Sequence, residues 1–206
     1  MIRAMSTTHL LYLHGFRSSP QSAKACIMAQ WIGRAYPQVT WWCPQLPASP
    51  REAAALIQQG VATWPRESMA VIGSSLGGFY ATWLAESCGC KAVLLNPAVA
   101  AARDLAKYVG VHSHWHNPAE NFVFKAKYVN ELKALECPAL AHPERYFAVV
   151  AKGDEVLSWR EMTGRYAGAN IKLLEGSDHA LSDFEDYVEE ILSFLKISSR
   201  PHPKGD

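Results

Sequence analysis

The sequence has no long apolar run and no long run of residues of one charge. No stretch approaches the roughly 20 apolar residues of a transmembrane helix, and residues 1–9 lack the apolar core and cleavage site of a signal peptide. We therefore expect no membrane insertion and a cytoplasmic location. The formal net charge is +1, from 20 basic and 19 acidic residues, which gives no electrostatic footprint for nucleic acid. A small molecule is the expected partner.

Cysteine is sparse as well, with five residues in a chain of 206. The odd number and the lack of a secretory context argue against a disulfide framework. The motif Cys88-Gly89-Cys90 has one residue too few for the C-x-x-C spacing of redox and zinc sites. We expect all five cysteines to be reduced thiols.

Apolar residues make up 49% of the sequence, which is enough for one large core, and we expect a single domain over residues 1–206. Short apolar runs that end in turn residues predict six buried strands, at 9–13, 39–43, 69–72, 92–95, 146–151 and 171–174. Most of the intervals between them carry helical periodicity. This alternation predicts an α/β fold with a mainly parallel sheet of six to seven strands and helices on both faces.

Two helix starts have recognisable capping signals. Ser19 followed by Pro20 predicts the N-cap and the first residue of the first helix. Ser182 and Glu185 have the spacing of a capping box, which predicts the start of the last helix.

Two segments depart from the strand–helix alternation. Residues 97–143 are longer than one crossover helix requires, and we expect a short cap-like insertion there, over the strand ends where ligands bind in parallel sheets. Residues 198–206 have no apolar period, and we expect a disordered tail.

The segment Gly73-Ser74-Ser75-Leu76-Gly77 matches the pattern G-x-S-x-G. An apolar strand precedes it and an apolar helical pattern follows it, which is the context of a nucleophilic serine in a sharp strand-to-helix turn. Side chains two positions before and after the serine would collide in such a turn, so Gly73 and Gly77 are expected to be required. Ser75 is therefore the candidate nucleophile.

A serine hydroxyl needs a general base at neutral pH, and a histidine after a later strand is expected. His179 follows the last predicted strand through a short turn, and Asp154 follows the strand at 146–151. The order Ser75, Asp154, His179 is the order of a triad on an α/β-hydrolase fold, with the acid orienting the histidine. Glu155 is the near competitor for the acid role, and Asp178 is a poorer one.

A fourth element lies after the first predicted strand, at His14-Gly15-Phe16. A glycine there allows a tight turn, and the backbone N–H of Phe16 is predicted to form an oxyanion hole with the backbone N–H of Leu76. We expect His14 itself to be a hydrogen-bonded structural histidine outside the catalytic set.

Taken together, these motifs are similar to those of the YqiA-type esterases, an α/β-hydrolase family, over roughly residues 10–195. The matching motifs are Leu11-Tyr12-Leu13-His14-Gly15-Phe16, Ser18-Ser19-Pro20, Ser22-Ala23-Lys24, Gly73-Ser74-Ser75-Leu76-Gly77-Gly78-Phe79-Tyr80-Ala81, Leu95-Asn96-Pro97-Ala98, Gly153-Asp154-Glu155-Val156-Leu157 and Gly176-Ser177-Asp178-His179. The resemblance implies a small α/β-hydrolase fold and the triad Ser75, Asp154 and His179. It also implies hydrolysis of carboxylic esters, with acyl-CoA thioesters as further candidate substrates.

The sequence thus predicts a serine esterase or thioesterase that forms an acyl-enzyme on Ser75, with a small ester or acyl thioester as its partner. Two alternatives stay open. One is another acyl-group hydrolase or transferase that uses the same triad, and the other is a non-catalytic binding module on a hydrolase fold. The intact set of Ser75, Asp154 and His179 argues against the second.

Other residues have both a functional and a structural interpretation. His112, His114 and His116 alternate as metal ligands on a strand could, but no acidic or cysteine ligand stands at a matching spacing, so we expect a polar stretch of the cap. We predict no metal site and no cofactor.

Aromatic residues could also line an acyl pocket. Phe79 and Trp83 fit better as core residues of a helix, whereas Trp115, Phe122 and Phe124 belong to the expected cap.

Overall fold

The structure is a computed structural model that describes residues 6–197. The tail predicted to be disordered, residues 198–206, lies outside the described residues. Within them the main sheet has six strands: β1 (His9–Leu13), β2 (Thr40–Trp42), β3 (Met69–Ser74), β4 (Lys91–Leu95), β7 (Tyr146–Ala151) and β8 (Asn170–Leu174). All six are parallel, and their order in the sheet is β2-β1-β3-β4-β7-β8.

All six predicted strands are therefore present, with ends that differ by at most two residues from the prediction. The helices that connect and flank them are α1 (Ala23–Ala35), α2 (Pro50–Gly60), α3 (Leu76–Cys88), α4 (Ala101–Leu105), α5 (Ala126–Lys133), α6 (Trp159–Arg165) and α7 (Val188–Phe194). Among the described residues no helix is long and apolar enough to cross a membrane.

The sheet separates two apolar cores because successive side chains of a strand point to opposite faces. In β1, Leu11 and Leu13 belong to the core that contains residues of α2, α3 and α5, and Leu10 and Tyr12 belong to the core under α1 and α7. All four of these side chains are fully buried. Burial on both faces explains why the central strands are continuous apolar runs in the sequence.

Both predicted helix caps are wrong, because each helix begins later in the chain than predicted and each serine hydroxyl has another partner. The helix α1 begins at Ala23 with Ser22 as its N-cap, and the Ser19 hydroxyl instead accepts the N–H of Gln21 at 3.1 Å in a turn before the helix. At the other end of the chain, the Ser182 hydroxyl donates to the Asp178 carboxylate at 2.6 Å. A 3₁₀ turn, Phe184–Tyr187, then leads into α7.

Residues 97–143 contain α4, a 3₁₀ turn, an antiparallel hairpin and α5. The hairpin pairs β5 (Gly110–Ser113) with β6 (Asn121–Phe124) and is separate from the main sheet. Its strands alternate in exposure: Val111 faces Val123 across the pair and both are exposed, whereas Phe124 is buried. The hairpin therefore packs one face against the body of the protein and presents the other to solvent.

Candidate active site

Ser75 lies in the turn between β3 and α3, in a backbone conformation that is rare for residues other than glycine. Its φ is 54° and its ψ is −118°. Three backbone hydrogen bonds hold the turn: the Ser75 N–H donates to Leu95 O at 2.9 Å, and the Ser75 carbonyl accepts from Gly78 and Ala98 at 2.9 and 3.0 Å. A residue in a strained conformation persists only where its surroundings determine that conformation. Here the three hydrogen bonds hold Ser75 at the carboxyl end of β3.

The two glycines around Ser75 are required by close backbone contacts. A Cβ atom on Gly73 would lie 2.2 Å from Gly77 O, and one on Gly77 would lie 1.9 Å from Leu13 O at the end of β1. Gly73 is required because of a contact within the turn itself, as the sequence predicts. Gly77 is required because the neighbouring strand β1 packs directly against the start of α3.

The structure brings Ser75, His179 and Asp154 into one chain of hydrogen bonds. His179 Nε2 lies 3.1 Å from Ser75 Oγ, and His179 Nδ1 lies 2.7 Å from Asp154 Oδ2. The Asp154 side chain is 0% exposed, and its other oxygen accepts the N–H groups of Val156 and Leu157 at 2.8 and 2.7 Å. This oxygen–nitrogen–oxygen arrangement allows a proton to move from the hydroxyl to the imidazole while the carboxylate holds the ring.

The two competing carboxylates have other partners. Glu155 Oε2 accepts the backbone N–H of His179 at 3.0 Å, so it holds the main chain of the histidine and not its ring. Asp178 accepts the N–H and the hydroxyl of Ser182, and these hydrogen bonds lower the pKa of the Asp178 carboxyl. Of the three acids, Asp154 alone is bonded to the imidazole within the described residues.

Phe16 and Leu76, the predicted oxyanion-hole residues, border the same cavity as Ser75. Leu76 is the first residue of α3, where backbone N–H groups have no partner within the helix. Within residues 6–197 neither the Phe16 N–H nor the Leu76 N–H donates a hydrogen bond to a protein acceptor. Both donors are therefore free to bind an oxygen of a ligand.

His14 fixes the turn that carries Phe16. Its Nε2 accepts the N–H of Leu46 at 3.0 Å, so its Nδ1 must carry the proton in the neutral ring and donates to Gly15 O at 2.9 Å. The Gly15 carbonyl belongs to the same peptide unit as the Phe16 N–H. Burial lowers the pKa of His14 to about 4, which keeps this tautomer neutral at physiological pH.

The β5–β6 hairpin packs on the same turn through aromatic rings and through Arg17. The Phe16 ring centroid lies 5.4–5.8 Å from the ring centroids of Tyr108, His112, Phe122 and Phe124. Arg17 Nε donates to Ser113 O at 2.8 Å, and the Arg17 guanidinium stacks 3.9 Å above the Trp115 ring. The hairpin and the Phe16 turn are thus joined as one packed unit.

A cavity of about 270 Å³ opens beside Ser75 and His179. Most of its other walls are apolar, and Trp115 borders it, whereas Phe79 and Trp83 border a different cavity. Its charged lining residues are Arg17, Asp104 and Lys107, and its apolar or aromatic lining residues are Phe16, Leu76, Ala98, Ala101, Leu105, Tyr108, Trp115, Val156 and Leu157.

The histidines of the hairpin are not arranged as a metal site. His112 Nε2 bonds to Tyr108 O at 2.5 Å, and the His114 ring packs against those of His116 and Phe122. Across the described part of the chain no group of three or more His, Cys, Asp or Glu side chains is placed to hold a metal ion. All five cysteines are free thiols.

Sequence reasoning gave no role to several residues that hold the site. Lys24 of α1 donates to the carbonyl of Ala180, next to His179, and burial lowers the pKa of Lys24 to about 8. Asn96, after β4, bonds to the same loop. Both residues lie in the motifs quoted above, but their partners are more than 80 positions away, and no local pattern points to such contacts.

Comparison with known proteins places the chain among related sequences and folds. A model of the family described as "Uncharacterised protein family (UPF0227)" matches residues 9–196. Alpha/beta hydrolase domain-containing protein 10 from mouse superposes with a TM-score of 0.67 at 10% identity, over 92% of this chain and 91% of that chain.

Two further solved structures are similar over nearly their whole length. A structure from the study of LipS and LipT, two metagenome-derived lipolytic enzymes, has a TM-score of 0.66 at 18% identity, over 94% of this chain and 95% of that chain. Est1E from Butyrivibrio proteoclasticus has a TM-score of 0.64 at 13% identity, over 92% and 89% of the two chains. These likenesses show the α/β-hydrolase fold and confirm the predicted fold class.

The contact between Gly77 and β1 predicts a large cost for any side chain there. Gly77→Ala should lower the free energy of unfolding by about 3 kcal/mol, because its Cβ meets backbone that cannot move away. The measurement is urea unfolding followed by circular dichroism. Gly164→Ala in α6 is the matched control: nothing lies within 4 Å of the added Cβ, so stability should rise by up to about 1 kcal/mol. Equal effects of the two changes would contradict this account.

The neutral, buried His14 predicts a loss of stability in acid. The pKa of His14 falls from its ordinary value of 6.5 to about 4 on folding, so between these pH values the unfolded chain binds more protons and unfolding becomes easier as the pH falls. The contribution that is lost amounts to about 3 kcal/mol when the pH is below both values. Chemical unfolding from pH 7 to pH 4 should show a shallower pH dependence for His14→Gln than for the wild type. Parallel curves would exclude this role of His14.

Proposed function

The chain belongs to the family described as "Uncharacterised protein family (UPF0227)", the YqiA-type family that its motifs resemble, and we propose that it is a serine hydrolase of carboxylic esters and acyl thioesters. The observation that carries the proposal is the chain of hydrogen bonds from Ser75 Oγ through His179 to Asp154, at 3.1 and 2.7 Å. Lipolytic enzymes are among the proteins with a similar fold, which agrees with this chemistry.

The proposed reaction begins with attack of Ser75 Oγ on the carbonyl carbon of the substrate. His179 Nε2 takes the hydroxyl proton during the attack and then gives it to the leaving alcohol or thiol. Water, deprotonated by the same nitrogen, attacks the acyl-enzyme, and the acid product leaves as Ser75 regains its proton. Asp154 holds the Nδ1–H tautomer and stabilises the imidazolium without taking up a proton.

Negative charge that develops on the carbonyl oxygen is held by the backbone N–H groups of Phe16 and Leu76. Support comes from the absence of any protein acceptor for these two donors within residues 6–197 and from their position beside Ser75. The His14–Gly15 hydrogen bond fixes the peptide unit of the Phe16 donor in advance. Such preorganised donors stabilise the transition state without reorganisation during the reaction.

The cavity beside Ser75 indicates the kind of substrate. Its walls are mainly apolar and its volume of about 270 Å³ suits a small molecule. Residues 97–143 supply many of these walls, including Ala101, Leu105 and Tyr108, and we assign them the role of a cap over the site within a single domain. Esters with an apolar acyl or alcohol group are therefore the proposed substrates.

The proposed nucleophile is tested directly with a fluorophosphonate probe. The wild type should be labelled, with the adduct on Ser75 in the peptide mass spectrum, and Ser75→Ala and His179→Ala should lose the label. Ser74→Ala is the matched control, because Ser74 is the adjacent, buried serine without a histidine partner among the described residues, and it should keep the label. An unlabelled wild type would count against an enzymatic function and would favour a binding module.

A panel of ester, thioester and amide substrates then distinguishes ester and thioester hydrolysis from other acyl-group reactions.

The different partners of the two neighbouring acids predict unequal effects. Asp154→Asn should lower kcat for a p-nitrophenyl ester by about 10⁴-fold, because an amide can donate to Nδ1 and stabilise the wrong tautomer. Glu155→Gln should lower kcat less than about tenfold, because the new amide oxygen still accepts the His179 N–H. The measurement is steady-state hydrolysis with thermal unfolding as a check on folding. A greater loss in Glu155→Gln would reverse the assignment of the acid.

A further inference from the structure

Asn96 occupies a buried position between the elements that carry the proposed acid and base. It follows β4, its side chain is completely buried, and its φ of 41° lies in the left-handed region that asparagine tolerates better than most residues. Its backbone N–H donates to Val149 O of the neighbouring strand β7 at 3.0 Å. The side chain is thus held in a fixed place and points toward the site.

The Asn96 amide bonds to both neighbours at once. Its Nδ2 donates to the carbonyls of Asp178 and His179, at 2.9 and 3.2 Å, and its Oδ1 accepts the N–H of Ala151 at 2.8 Å. The orientation of the amide is settled by these partners, because carbonyls only accept and the N–H group only donates. No other orientation satisfies all three contacts.

The partners of Asn96 lie close in the chain to the proposed acid and base. Ala151 is the last residue of β7, and its carbonyl accepts the N–H of Asp154 at 3.3 Å. The second carbonyl that Asn96 binds belongs to His179 itself. One buried side chain therefore links the strand end that precedes the acid to the main chain of the base.

We propose that Asn96 is a positioning residue that sets the distance between Asp154 and His179, an inference that rests on the proposed hydrolase function. Misplacement of a catalytic group by about 1 Å is enough to cost about 10²-fold in rate. The Asp154–His179 hydrogen bond of 2.7 Å needs both residues in fixed positions, and Asn96 binds the His179 loop and the end of the strand that leads to Asp154.

Two other residues bond to the main chain of the His179 loop from more exposed positions, Glu155 and Lys24. Glu155 is exposed, and its bond to the His179 N–H competes with water. Lys24 is half-buried and reaches only the Ala180 carbonyl, not the strand of the acid. Loss of the buried Asn96 amide instead leaves the His179 carbonyl and the Ala151 N–H without this partner, and it removes one of the two donors to the Asp178 carbonyl, which also accepts the Leu181 N–H. The loops must then move to regain hydrogen bonds.

Two substitutions separate the role of the amide from that of the backbone. Asn96→Gly keeps the left-handed conformation and removes all three side-chain hydrogen bonds. Asn96→Asp keeps an oxygen for the Ala151 N–H but places an oxygen against the carbonyls of Asp178 and His179. Both should lower kcat for p-nitrophenyl butyrate by about 10- to 100-fold with KM changed less than threefold, and both should slow fluorophosphonate labelling by the same factor.

Two control variants measure the cost of losing hydrogen bonds elsewhere. Asn170→Ala removes an amide bond to Tyr146 O at the opposite end of β7, and Tyr166→Phe removes a buried hydroxyl bond to Thr82. Both should lower Tm while kcat stays within twofold of the wild type. If their kcat falls as much as that of Asn96→Gly, the effect is general destabilisation and the proposal is overturned.

A readout that does not depend on activity is the proton NMR signal of the His179 Nδ1–H. In the wild type this proton is held in a short bond to Asp154, and in Asn96→Gly its signal should move or disappear by exchange with water. An unchanged signal with unchanged kcat, or failure of both Asn96 variants to fold, overturns the positioning role. If the wild type hydrolyses no ester but the signal still differs between the wild type and Asn96→Gly, the proposed function is refuted and the positioning role of Asn96 stands.

Discussion

The Asp154 carboxylate is hidden from solvent, and its need for hydrogen bonds determines the arrangement around Ser75. A buried carboxylate is tolerated only when donors replace the lost water. Two backbone N–H groups, of Val156 and Leu157, satisfy one oxygen, and His179 satisfies the other. Since an ionised carboxylate can only accept, His179 Nδ1 must carry a proton. His179 Nε2 is then left as an acceptor that faces the Ser75 hydroxyl.

A second set of contacts ties the Phe16 turn to the β5–β6 hairpin. An isolated two-stranded hairpin is marginally stable in water, and this one gains its support from the Phe16 ring and from Arg17. The same turn is held from the other side by His14, which bonds to Leu46 and to Gly15. One short segment that lines the cavity beside Ser75 is therefore held both by the hairpin and by His14.

The strands and the three residues of the hydrogen-bonded chain could be predicted from the sequence for one physical reason. Strands buried on both faces are continuous apolar runs, and in a parallel sheet their carboxyl ends meet at one edge, so Ser75, Asp154 and His179 could be placed together without knowledge of packing. Helix caps were harder to predict because serine has several local partners. Ser19 bonds within a turn and Ser182 bonds to Asp178, and the sequence does not rank these choices.

The supporting residues could not be predicted, because their roles depend on contacts between distant segments. Asn96 lies 55 positions from Ala151 and 83 from His179, and Glu155 lies 24 positions from the N–H that it accepts. The reason for Gly77 is likewise a contact with β1, which the motif around Ser75 does not include. The strand order adds a consequence for biosynthesis: β2, β1, β3 and β4 are adjacent and come first in the chain, whereas β7 and β8 join one edge. Because a chain is synthesised from its N-terminus, the first four strands can pair while the rest of the chain is still being made. The hydrogen bond between Ser75 and His179 can form only after the last strand, β8, has been synthesised.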